Sequence, residues 1–133
     1  MKSKIDLVKA WLKKAENDLL AAENSIEAKL YDIAAFHAQQ CAEKYLKAFL
    51  TYHEVEFEKT HAIEDLLLLA SQIDDAFAEM IEEGKELTPY AVEIRYPLLI
   101  KEPSEEKARQ LFRVAIKIKE LVLNKLQLGE KDD

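Results

Sequence analysis

A single stripe of residues constrains this chain more than any other feature. Ala34, Ala38, Cys41, Tyr45, Ala48 and Tyr52 follow one another at steps of 4, 3, 4, 3 and 4. That spacing puts their side chains on one face of an α-helix. Small residues dominate the stripe, so another helix can approach closely. The chain around it has the composition of long helices. Its 133 residues include only two Gly and three Pro, the residues on which the many turns of a strand-rich domain draw. Ala, Leu, Glu and Lys, all strong helix formers, are abundant.

The same periodicity divides the chain into helices. Ile5, Val8, Leu12, Ala15, Leu19, Ala22 and Ile26 predict a first helix from Lys4 to about Ala28, flanked by Trp11, with Ser3 as N-cap and Asp6 three residues on. A second helix is predicted from about Asp32 to His53. Glu54–Lys59, with Val55 and Phe57 alternating among charges, reads as a loop or short extended link. Thr60 is expected to cap a third helix from His61 to about Ser71. Ile73–Glu86 reads as a further helical segment with Phe77, Met80 and Ile81 buried and Gly84 near its end. Thr88-Pro89 is a restart signal, and the helix it opens is short because Pro97 disfavours a helical Tyr96. Pro103-Ser104 opens the last helix, whose apolar face is Ala108, Leu111, Phe112, Ala115, Ile118 and Val122; Glu105 and Glu106 suit its positive end. Gly129 is a natural stop. The expected fold is all-α: an up-and-down bundle of four main helices plus a short additional one, one domain over residues 1–128 with a frayed tail at 129–133.

Composition narrows the function classes. A domain of this size buries enough surface to need no disulfide, and one cysteine excludes both an intrachain disulfide and a Cys-based zinc finger. No signal peptide and no run of about 18 apolar residues is visible, so the expected location is the cytoplasm, with no membrane contact. The formal net charge of -7 disfavours non-specific polyanion binding. It hides an asymmetry. Residues 54–86 carry 11 acidic side chains against Lys59 and Lys85, whereas residues 87–119 carry seven basic against four acidic. The last third faces an anionic ligand or pairs with the acidic middle, or the two charged regions simply solvate their helices.

Several residue types are candidates for chemistry. Two isolated Gly cannot build a phosphate-cradling loop, and no calcium loop is present. His37 and Cys41 lie one helical turn apart, a chelating spacing, but a third ligand is not evident; no metal and no cofactor are expected, and Cys41 reads as a small core residue. Arg95 is the strongest candidate. It follows Tyr90 and precedes Tyr96-Pro97, where a guanidinium either clamps a phosphate bidentately or pins the turn to an acidic neighbour. His61 can hold an anion at a positive helix end, or serve as a local cap or pack in the core. Lys44 and Lys47 share one side of the second helix and face either a nucleotide or, beside Glu43, solvent. Arg109, Arg113 and Lys117 form a basic stripe, weak for RNA without interleaved aromatics.

Taken together, Trp11, Asp18-Leu19, the run Gln39-Gln40-Cys41-Ala42-Glu43-Lys44-Tyr45-Leu46-Lys47-Ala48, Thr60-His61 and Arg95-Tyr96-Pro97 resemble the pattern of the HEPN family of small helical domains. The resemblance covers nearly the whole chain. It implies nucleotide or RNA binding, a homodimer, and a toxin–antitoxin-like pair with a small nucleotidyltransferase. In HEPN ribonucleases, the resemblance further implies, the Arg is followed by a His after four to six intervening residues. Here those positions are Ile100, Lys101 and Glu102, and no His follows His61. Lys101 can stabilise negative charge, but an ordinary lysine pKa of about 10.4 makes it a poor general base. The expected function is a non-catalytic nucleotide-binding or interaction module, not an enzyme. Arg95, Tyr90, Lys101 and His61 are its expected ligand contacts. The alternatives are a metal-independent ribonuclease with a degenerate site and a structural helical homodimer.

Overall fold

The computed structural model describes residues 3–91 and 102–127. Arg95, Tyr96, Pro97, Lys101 and the 129–133 tail lie outside the described residues. α1 (Lys4–Glu27) and α2 (Tyr31–Tyr52) pack as a long hairpin, α3 (Ile63–Ser71) packs on α2 and on a short α4 (Ile81–Lys85), and α5 (Glu105–Leu126) packs against α2 and α1. The all-α architecture is that read from the periodicity, with four main helices and one short one.

α2 is the central element, packed against α1, α3 and α5. Its small-residue stripe explains why. Ala34, Ala35, Ala38, Cys41, Ala42 and Ala48 are all buried, and side chains this small let neighbouring backbones come close on more than one side. Larger groups fill the remaining space: Tyr45, Leu46, Phe49 and Leu50 meet Leu66, Leu67, Leu111 and Ile118 in one core. Phe77 packs on Phe49 with ring centroids 4.5 Å apart, near the favoured range for aromatic pairs.

Helix ends depart from the sequence expectations in instructive ways. Ser3 and Asp6 form the expected capping box. The α1 end is a Schellman closure in which Leu30 N–H donates to Ser25 O and Lys29 N–H to Ile26 O. Lys29 takes the left-handed position at φ 63°, where glycine is usual. α2 closes the same way, with Val55 N–H on Leu50 O, Glu54 N–H on Thr51 O and Glu54 at φ 57°. Thr60 does not cap α3. Its Oγ1 accepts from Ala62 N–H, and α3 starts at Ile63 with Ala62 as its N-cap. Residues 73–86 are not one helix. Asp74 caps a 3-10 turn over Asp75–Met80, and α4 follows. A 3-10 turn stacks i and i+3 side chains, which sends Phe77 and Met80 inward together. Ile81 is half-buried, and Ile73 is exposed. Thr88–Ala91 is a 3-10 turn.

Candidate functional site

The polar side of α2 is not a solvated face. Lys47, expected beside water or a nucleotide, is only 8% exposed. Its ammonium donates to Glu43 Oε2 at 2.8 Å and stands 5.8 Å from the Trp11 ring centroid and 5.5 Å from that of Phe57. The aromatic walls come from α1 and from the link after α2, so the alternation of Val55 and Phe57 reflects inward packing. A buried ammonium needs a counter-charge, and Glu43 supplies it one helical turn away.

Glu43 is the hub of this network. Its Oε1 accepts from Gln39 Nε2 at 3.1 Å and from His61 Nδ1 at 2.9 Å. Gln39 is fully buried and also donates to His61 O at 2.8 Å, while Gln40 donates to Gln39 Oε1 at 2.6 Å. Burial pushes the Glu43 carboxyl up, but hydrogen bonds from Lys47, His61 and Gln39 outweigh it and hold the group below the ordinary carboxylate value. A carboxylate is acceptor-only, so His61 must carry its proton on Nδ1. The His61 side chain is 64% exposed.

The positive end of α3 is not an open seat for an anion beside His61. Ile63 N–H donates to Thr88 Oγ1 at 3.0 Å, and the Thr88 hydroxyl donates to Glu64 Oε1. Thr88 is thus a cap delivered from 25 residues away, and it docks the Thr88–Ala91 turn on the start of α3. Tyr90 in that turn is half-buried and packs against the main core. His61 and Tyr90 are therefore brought to the same end of the bundle, one exposed and one largely committed to packing.

Other candidates are also tied up. Lys44 donates to Asp18 Oδ2 at 2.5 Å, and His37 Nδ1 lies 2.9 Å from Asp18 Oδ1. Cys41 is fully buried, and burial pushes its thiol up to about 12, the behaviour of a core residue. Tyr45 and Lys119 both donate to Glu16 Oε2, joining α1, α2 and α5. Among the described residues, no group of three or more His, Cys, Asp or Glu is placed to hold a metal ion. The basic stripe of α5 is partly neutralised: Arg109 pairs with Glu105 at 2.9 Å and Lys117 with Glu83 at 2.9 Å. Lys107 with Glu86 and Lys125 with Asp74 add to the pairing between α5 and the acidic middle. A shallow cleft of about 370 Å³ at the start of α5 is lined by Glu105, Glu106, Arg109 and Arg113.

Sequence reasoning took Lys44 and Lys47 together and did not see that Glu43 holds Lys47 while Asp18 holds Lys44. The available signal was the i, i+4, i+8 placement of Gln39, Glu43 and Lys47, a polar ladder along one side of the helix. Comparison with known proteins agrees with this arrangement of helices. A family model described as HEPN domain matches residues 8–126. The crystal structure of ST0689, an archaeal HEPN homologue, superposes with a TM-score of 0.73 at 29% identity, covering 94% of this chain and 98% of that one. The crystal structure of TT1696 from Thermus thermophilus gives 0.79 at 28% identity, covering 89% and 97%. A Methanocaldococcus jannaschii protein that bears the name "Putative toxin MJ1304" is 29% identical over 100 residues, 70% of this chain. The match spans 65% of that relative's own length. Among the described residues no helix is long and apolar enough to cross a membrane.

Proposed function

We propose that this chain, which belongs to the HEPN domain family, is the HEPN component of a cytoplasmic toxin–antitoxin-like pair. In this reading it is a homodimer that binds a nucleotide or RNA phosphate and acts with a small nucleotidyltransferase partner. The relative named as a toxin supports the module. The observation that carries the binding part is the Glu43–His61 contact: a buried carboxylate holds an exposed imidazole in one orientation, and the docked Thr88 turn brings Tyr90 to the same end. When both ring nitrogens carry a proton, one N–H keeps the contact to Glu43 and the other is a donor to phosphate oxygens. Arg95 and Lys101 are the further phosphate contacts of the reading. It requires no catalytic step, because no His follows Arg95.

Isothermal titration with a nucleotide panel and a short RNA, together with thermal melts, tests it. Arg95→Ala should weaken binding by about 2 kcal/mol, the scale of a charge-assisted hydrogen bond. Arg95→Lys should recover only part, since an ammonium lacks the planar fork. If the parent binds no phosphate ligand and Arg95→Ala melts early, Arg95 is a structural pin and the binding reading fails. Light scattering that gives a monomer at micromolar protein would remove the dimer. Purification from the native cell without any co-eluting nucleotidyltransferase would remove the partner.

A further inference from the structure

The small residues that let helices approach α2 are spent inside the bundle. Ala34, Ala38, Cys41 and Ala48 are buried against the chain's own core, so a second copy must meet another face. α1 carries one. Lys9, Lys13, Glu16, Leu20, Glu23 and Glu27 recur at steps of 4, 3, 4, 3 and 4, which aligns them along one side of the helix. Glu16 is half-buried, where it accepts from Lys119 of α5. The other five are exposed, Leu20 by 51%. Among the described residues, Lys13, Glu23 and Glu27 have no side-chain hydrogen bond or ion pair. The row is bipolar, basic toward the N-terminus and acidic toward the C-terminus. It is also symmetric about Asp18: Lys9 and Glu27 stand nine residues to either side, Lys13 and Glu23 five, Glu16 and Leu20 two.

We propose that this face of α1 is the interface with a second copy of the chain, the two helices antiparallel about a two-fold axis at the level of Asp18. The inference rests on the homodimer reading above and assigns its interface and register. Turning one copy end over end about that axis lays each basic side chain opposite an acidic one. Lys9 of one copy faces Glu27 of the other and Lys13 faces Glu23, and the symmetry makes each pair twice. The two Leu20 side chains flank the axis, about 6 Å apart along the helix direction, and cover each other. Ala108 packs with Ile26, and Lys119 meets Glu16, so the stretch of α5 between them runs beside Leu20. Half-buried Phe112 and Ile116 on that stretch extend the apolar centre. Charge selects this occupant over others. A parallel arrangement of the two helices sets Lys against Lys and Glu against Glu. An RNA strand is repelled by the acidic half of the row, and a basic peptide by the lysine half. Only a bipolar partner in reversed direction satisfies both halves, and the chain supplies one.

The test measures the dimer dissociation constant of the purified full chain by sedimentation equilibrium, with a melt of every variant to confirm folding. Lys13→Glu and Glu23→Lys each set like charges opposite one another twice. Each should weaken the dimer about tenfold or more. Leu20→Glu, at an exposed helix position, should do the same. Lys13→Glu and Glu23→Lys combined in one chain restore opposite charges and should return the dimer to within about threefold of the parent. Mixing separates the interface from the stability of the fold. A chain with Lys9→Glu and Lys13→Glu, and a second with Glu23→Lys and Glu27→Lys, should each be monomeric alone and form a heterodimer together. Raising salt from about 50 to 500 mM should weaken the parent dimer. If the parent is a dimer that the single reversals leave unchanged, or if the mixed variants do not associate, the interface lies elsewhere and the homodimer reading stands. If the parent is a monomer at tens of micromolar protein, both readings fall.

Discussion

Replacing Glu43 tests whether the polar ladder of α2 holds the bundle together. Glu43→Ala leaves the Lys47 ammonium buried between Trp11 and Phe57 without its ion-pair partner. The Lys47 and Glu43 side chains are 10% and 6% exposed, so solvent screens the pair little. Removing one partner of such a pair costs about 3–5 kcal/mol, because the other charge is left uncompensated. Glu43→Gln keeps the shape and an acceptor oxygen but not the charge, and should cost about 2 kcal/mol. Glu43→Leu with Lys47→Met removes both charges; it should recover most of the loss, retaining a deficit of about 1–2 kcal/mol because Gln39 and His61 lose their acceptor. Urea unfolding followed by helix circular dichroism at pH 7 measures each value. The dependence on acidity carries a sign. The folded Glu43 carboxyl lies below its ordinary value of 4.5, so its stabilisation is fully present above about pH 4.5 and is lost as pH falls through the lower folded value. The gap between parent and Glu43→Gln should therefore narrow in acid. A cost for Glu43→Ala below about 1 kcal/mol, or a double variant as unstable as the sum of its single changes, would refute the reasoning.

Further outcomes follow from the backbone and the core. Lys29→Gly should raise stability by about 1 kcal/mol in the same urea assay, since Lys29 holds a left-handed conformation that costs a side chain about that much. Gly84→Ala should lower stability by about 1 kcal/mol net. Its new Cβ would sit 2.4 Å from Leu67 Cδ1 and 2.9 Å from Ile63 Cγ2; the overpacking penalty of about 1–3 kcal/mol exceeds the helix-propensity gain of about 1 kcal/mol. Cys41→Ala should cost on the order of 1 kcal/mol or more and leave ligand binding intact. The native thiol, pushed up to about 12 by burial, should resist alkylation at pH 8 until the chain is unfolded, as a mass-spectrometric time course would record.

α1 and α5 were legible in the sequence because each buries one face, and one-sided burial writes a 3- and 4-residue period into the chain; α2 is buried on several sides, and its small-residue stripe still carries that period. The stripe from Ala34 to Tyr52 announced a close helix neighbour for α2, and Ser3 with Asp6 marked the start of α1 because a capping box is local. What the sequence alone left open is everything that depends on a neighbour distant in the chain. Thr60 reads as the cap of α3 by proximity, yet Thr88 takes up the Ile63 N–H from 25 residues away. Lys47 reads as solvated because lysine usually is, and only the closing of Trp11 and Phe57 over it turns its charge into a buried one that needs Glu43. The basic last third could have faced an anionic ligand; the packing of α4 and the Asp75–Met80 turn beside α5 pairs part of it with the acidic middle instead. His61 shows the division most clearly. Its residue type and its place ahead of a helix are local facts, but its fixed orientation exists only because α2 sets a buried carboxylate 2.9 Å from the ring.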